Sequence, residues 1–292
     1  MNRLRKIWLC SYANFRKRRL DWRTYILIIG TLCFAMWNLS GLKDLARDYD
    51  LNVSAWVFPH YFGRPIMPML YCCFTTLLYC DAPFMDSHMS QMVLHIGRVD
   101  WLIGQFLFIV ISSLVYALWL ALSTIIVLLP RVYFANEWGR VLYGIAQQSD
   151  LTVEYNIVLG LSENMLETFT PLEAMAISIG LAWLVSIFYG TSIMCANIVI
   201  NKRAGYVIGG FWGFLSYFTA YLGTFIFGYG LLWVSPANWI SIYVFNWNGY
   251  DYCPGFAWAI TVLTVSTLIM FGISLFAFCK RDLDIRQEGI LS

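Results

Sequence analysis

Few residues in this chain have types and spacing suited to chemistry. His88 and His95 lie seven residues apart, a weak ligand spacing, and Cys72, Cys73 and Cys80 show neither a C-x-x-C step nor a neighbouring His. No metal site is therefore expected. The carboxylates Glu137, Asp150, Glu154, Glu163, Glu167 and Glu173 are spread over one long polar segment, more as solubilising charge than as an acid–base pair. There is no G-x-x-x-x-G-K-[ST] phosphate loop and no H-E-x-x-H, so neither nucleotide hydrolysis by that route nor zinc proteolysis is expected of this chain. Ser112, Ser113, Ser123, Thr124 and Asn197 form the one polar set in the long apolar runs suited to an intramembrane enzyme. Ser and Thr there commonly bond only helix backbone.

The elements that would position these residues are apolar. Of 292 residues 60% are hydrophobic and 12% charged, against about 25% charged in soluble domains. Six runs lack Asp, Glu, Lys, Arg and His altogether: Tyr25 to Leu42, Pro65 to Cys80, Trp101 to Leu129, Ala174 to Ile200, Ala204 to Val234 and Phe256 to Phe278. A bilayer core needs roughly 20 apolar residues per helix. The expected fold is all-α: one polytopic membrane domain over residues 1–292, with spans near 25–42, 58–80, 101–129, 174–200, 204–234 and 256–278. The second run reaches span length only by extending back through Trp56, Val57 and Phe58.

Six passes put both termini on one side. That side holds the N-terminal basic residues from Arg3 to Arg23, then Arg98, Lys202, Arg203, Lys280, Arg281 and Arg286. The other side keeps Lys43, Arg47, Arg64, Arg131 and Arg140. Basic residues favour the cytoplasm, so both termini are expected there, in a cell membrane. Residues 1–24 read as an amphipathic interfacial helix, with Leu4, Ile7, Trp8, Tyr12 and Phe15 on one face and basic residues on the others. Such a helix rests among lipid headgroups, and nucleic acid is not an expected partner. A long apolar run without a small-residue cleavage site also argues against a secretory signal.

Two further patterns stand out. In the cytoplasmic connector from Asp81 to Asp100, Met85, Met89, Met92, Val93 and Ile96 recur at helical steps, with His88, Gln91 and His95 between them. Methionine on a short exposed helix suits adaptable contacts, and the pattern fits a helix lying on the membrane and a docking element for a cytoplasmic partner about equally. The fifth run carries a small-residue stripe, Gly205, Gly209, Gly213, Ser216 and Ala220. Small residues let helix backbones approach closely in lipid. The stripe suits packing within the chain and pairing with a second membrane subunit about equally.

With no ionisable group in the runs, coupling energy must come from elsewhere, which fits a permease driven by a separate ATPase. Several segments are similar to permease subunits of bacterial type-2 ABC exporters. They are Tyr79-Cys80-Asp81-Ala82-Pro83-Phe84, Ile96-Gly97-Arg98-Val99-Asp100-Trp101-Leu102-Ile103-Gly104-Gln105, Phe169-Thr170-Pro171-Leu172-Glu173-Ala174, Ser235-Pro236-Ala237-Asn238-Trp239 and Phe278-Cys279-Lys280-Arg281-Asp282-Leu283. The resemblance implies a dimeric membrane unit, with an identical or paralogous second permease, on ATPase subunits that bind ATP and Mg; this chain itself would carry no cofactor and no catalytic residue. It implies that Met85, Asp86, His88, Met89, Gln91, Met92, His95 and Arg98 contact the ATPase as a coupling segment. It also gives the Gly205/Gly209/Gly213 stripe a place at the permease–permease interface. The apolar spans suggest a hydrophobic or amphipathic cargo, a compound or peptide. An intramembrane enzyme or immunity protein, and a secondary carrier or channel, stay open as other readings.

Overall fold

The computed structural model describes residues 2–84, 93, 95–247 and 252–280. Helix accounts for 77% of the molecule. Among the described residues the only strands are two of two residues each. Helix α1 (Arg3–Arg18) ends on Arg16, Lys17 and Arg18, cations that complement the negative end of the helix dipole. Asp21 then caps α2 (Trp22–Asn38) by accepting the Arg23 N–H at 3.1 Å. The first apolar run does not stay straight, because α2 bends by 45° into α3 (Ser40–Asp48).

The second run is shorter than its expected 58–80. Helix α4 (Phe58–Tyr61) is a separate turn, and α5 starts only at Ile66 and ends at Tyr79. Between them Gly63 packs directly on the backbone of Gly160, where a Cβ would stand 2.5 Å from the Gly160 Cα. The third, fourth and sixth runs form α6 (Arg98–Leu128), α10 (Pro171–Val199) and α13 (Phe256–Lys280), close to their expected bounds. These three are long and apolar enough to cross a membrane, and the bent α2–α3 pair makes a fourth if taken as one span. Helix α10 starts cleanly because Thr170 and Glu173 form a capping box around Pro171, which satisfies two otherwise orphan N–H groups.

Between α6 and α10 the long polar segment folds into α7 (Gly139–Gln147), α8 (Ser149–Glu154) and α9 (Glu163–Thr168). It is packed down, with Trp138, Val141, Leu142 and Leu166 buried. The fifth run departs most from its expected 204–234. Helix α11 (Ala204–Tyr217) passes into a π-helical turn over Phe218–Gly223 and then α12 (Thr224–Phe227). It stops at Gly228, whose φ of +77° is open to glycine at little cost. The chain then turns back through 3₁₀ segments at Tyr229–Val234, Asn238–Ile240 and Ile242–Val244.

Helix α10 is the hub of the bundle, packed on α5, α6, α11 and α13. Its Ala182 carbonyl accepts the Tyr71 hydroxyl at 2.8 Å, and its Trp183 donates to the Val110 carbonyl at 2.9 Å. Connectors gather at two ends. At one, Val53–Ser54 pairs in parallel with Val132–Tyr133, Trp138 lies 4.7 Å from the His60 ring, and Phe169 meets Trp247. At the other, α1 lies along the base of α6, and the end of α13 reaches the same base.

Candidate functional site

A dense polar cluster stands where α5 ends and the Asp81–Asp100 connector begins. The last carbonyls of a helix have no partner within it, and here an asparagine from α10 supplies one. Asn197, 5% exposed, donates to the carbonyls of Cys80 at 2.8 Å and Ala82 at 2.7 Å. Its side-chain oxygen accepts the Gly205 N–H at 2.6 Å, at the start of α11. One amide thus ties the end of α5 to the start of α11. Asp81 is held from two further helices, by the Arg23 guanidinium of α2 and by the Tyr206 hydroxyl of α11 at 3.1 Å.

Arg18 completes this root. It pairs with Asp21 at 2.8 Å, donates to the Leu78 carbonyl, and lies over the Phe84 ring at 5.0 Å. Burial pushes the Asp21 carboxyl upward, but the Arg23 N–H and the Arg18 and Arg23 charges outweigh it and hold the group below the usual carboxylate range. At the far end of the connector, Arg98 donates to the Cys279 carbonyl at 2.8 Å, Arg3 grips Asp100 at 2.8 Å, and Asn14 donates to Gln105 at 2.9 Å. Both roots of the connector are therefore clamped to neighbouring helices.

Of the expected coupling segment, His95 is exposed and Arg98 half-buried. Met85, Asp86, His88, Met89, Gln91 and Met92 lie outside the described residues. The small-residue stripe turns toward the chain's own helices. A Cβ at Gly209 would stand 2.4 Å from the Thr76 side chain of α5, and one at Gly205 2.7 Å from Asn197. Gly213 faces Cys72, Ser216 donates to Asn238 at 2.7 Å, and Ala220 is half-buried. The stripe is thus filled by intrachain packing; the opposite face, with Val207, Phe211, Phe214, Tyr221 and Phe225, is exposed.

Of the Ser/Thr set, Ser112 and Ser113 meet at the Tyr79 hydroxyl, at 2.9 and 2.7 Å, while Ser123 and Thr124 stay on their own helix. Ser112, Ser123 and Thr124 donate to carbonyls of that helix at 2.6, 2.7 and 2.8 Å. Among the described residues no three His, Cys, Asp or Glu side chains group as metal ligands would.

One polar centre has no expectation behind it in the sequence beyond a turn. The Asn238 amide nitrogen lies 3.0 Å from the Ser216 carbonyl, 2.7 Å from the Thr219 hydroxyl and 2.9 Å from the Ser235 hydroxyl, and shares its two N–H groups among them. Ser216 lies eleven residues before the end of α12, or about 16 Å along the helix. The 235–241 turn therefore reaches back beside the helix, and its amide bonds the helix where the π-helical stretch begins at Phe218. The Asn in Ser235-Pro236-Ala237-Asn238 was the available signal. No family model, no curated protein and no solved structure matches this chain.

Proposed function

We propose that this chain is the membrane-spanning permease of an ATP-driven exporter of the type-2 ABC kind, moving a hydrophobic or amphipathic compound or peptide. The observation that carries the reading is the double clamp on the Asp81–Asp100 connector. Its first root is bonded to α2, α10 and α11, and its second to α1 and α13. A push on such a connector would move the helix ends together, as a permease without its own energy source requires.

Six passes are proposed: α2 with α3, α5, α6, α10, α11 with its continuation to Phe227, and α13. In support, the segments near 53, 132, 169 and 247 meet at one end, and those near 3, 81, 98, 203 and 279 at the other. Both termini are then cytoplasmic by the basic-residue distribution. Since the glycine stripe is occupied within the chain, a second permease, identical or paralogous, would meet the exposed aromatic face of α11.

The test is purification from native membrane in mild detergent. An ATPase subunit is expected to co-purify. Replacing Met89 and Met92 by Asn is expected to weaken the complex by about tenfold while leaving the permease folded, since buried apolar anchors carry much of an interface. Transport by the purified chain alone in vesicles would overturn the reading.

A further inference from the structure

An aromatic cavity lies between α2, α4, α5 and α6. Its wall carries the rings of Phe34, Tyr61, Phe62, Tyr71, Phe74 and Tyr116. Phe34 meets Tyr61 at 6.2 Å between ring centres, Phe62 meets Tyr71 at 5.6 Å, and Tyr71 stacks on Tyr116 at 5.3 Å. No Asp, Glu, Lys, Arg or His lines the space. It encloses about 10 Å³, room for a single water-sized group.

Three phenol hydroxyls belong to this wall, and one is satisfied. Tyr71 donates to the Ala182 carbonyl at 2.8 Å and meets the Ser186 hydroxyl. The Tyr61 and Tyr116 hydroxyls are buried and have no hydrogen-bond partner among the described residues, in side chains from residues only 4% and 3% exposed. The Asn38 side-chain oxygen, beside Tyr61, is unbonded as well. Buried polar groups are nearly always paired, so an apolar wall that keeps such groups unpaired is suited to a polar guest. Phe34, Leu70 and Phe74 of the wall are half-buried, so the cavity reaches the outer surface of α2 and α5, where Ile29 and Ile66 are exposed.

The geometry points to a binding site for a neutral amphiphile with one free hydroxyl, which enters between Tyr61 and Tyr116 while its apolar part stays on the α2–α5 surface. The size of the space selects a hydroxyl, because a methylated ammonium or a phosphate is far larger. The lack of any charged group in the wall selects a neutral guest, since a charge buried without a partner is costly. A hydroxyl both donates and accepts, so it serves the two phenols together. A water molecule offers the same bonds, and a hydroxyl in its place preserves them. The site does not depend on the exporter reading, because it uses neither the connector nor an ATPase.

The test is native mass spectrometry of the full chain in an amine-oxide detergent, which has no hydroxyl group. The chain is titrated with dioleoylglycerol, with its O-methyl ether and with dioleoylphosphatidylcholine. The wild type is expected to retain one dioleoylglycerol in preference to both others. Tyr116→Phe keeps the ring and removes one hydrogen bond, and is expected to lower that affinity about fivefold. Tyr61→Phe should act alike, and the double variant should bind dioleoylglycerol and its ether equally. Neither change removes a bond made within the chain, so the melting midpoint without ligand should not fall. Tyr189→Phe deletes another buried, unbonded hydroxyl that lies outside the cavity and should leave retention unchanged. Equal wild-type retention of dioleoylglycerol and its ether would overturn the amphiphile and leave the hydroxyls to water. An unaffected double variant, or an equal loss in Tyr189→Phe, would overturn the site.

Discussion

At the scale of single residues, two asparagines do what the apolar helices cannot. Asn197 and Asn238 each satisfy several backbone or hydroxyl groups that would otherwise be buried without partners. A buried orphan group costs about 1–3 kcal/mol. Asn197→Leu leaves the Cys80 and Ala82 carbonyls and the Gly205 N–H unsatisfied, and is expected to destabilise the protein by about 3 kcal/mol or more, read as a lowered melting midpoint in detergent. Asp21 belongs to this scale too. Its carboxyl is held below the usual range, so the stability it contributes is complete above its unfolded pKa and is lost as pH falls through the lowered folded value. Hydrogen exchange in α1 is expected to stay slow from neutral pH through about pH 4 and to rise in stronger acid. Asp21→Asn should remove that acid step.

At the scale of elements, the contact of α11 on α5 depends on the absence of a side chain at Gly209, where a Cβ would overlap Thr76. Gly209→Leu is expected to cost roughly 1–3 kcal/mol, the usual penalty of overpacking, and to lower the melting midpoint of the single chain at any protein concentration. A change seen only in oligomer assembly, with an unaltered melt, would contradict this packing. The π-helical stretch at Phe218–Gly223 is a second element-level feature. The apolar run continues through it without a break in composition, so hydropathy alone extends the helix to Val234. The Asn238 turn reaches back from outside the run and bonds Ser216 and Thr219, where the irregular stretch begins.

At the scale of the whole molecule, the connectors sort into two groups at opposite ends, and the six-pass reading assigns each group a side of the membrane. Cys253 and Cys279 test it, being half-buried and exposed respectively and far apart in that reading. In single-cysteine variants, an impermeant maleimide added to intact cells is expected to label Cys253 and not Cys279, while permeabilised cells label both. Labelling of Cys279 from outside would reverse the C-terminal side. Cys10 should stay unlabelled at neutral pH in both conditions, because it is buried against α6 and burial raises its thiol to about 11.

The sequence by itself determined a mostly helical chain whose α6, α10 and α13 are apolar and long enough to cross a membrane, and about where they begin and end, because a long uncharged run in lipid must satisfy its backbone groups internally. It also marked the Asp81–Asp100 connector as the polar segment of interest, since charge is scarce elsewhere. What only the tertiary structure decided is which groups meet. The bend at Leu39, the late start of α5 and the early end of α12 arise from contacts and backbone angles that hydropathy does not encode. The glycine stripe looked the same whether it faced a second subunit or α5, because small residues permit close approach without naming the partner. Lys43 and Leu129 line one cleft across 86 positions of sequence, a distance that only folding closes.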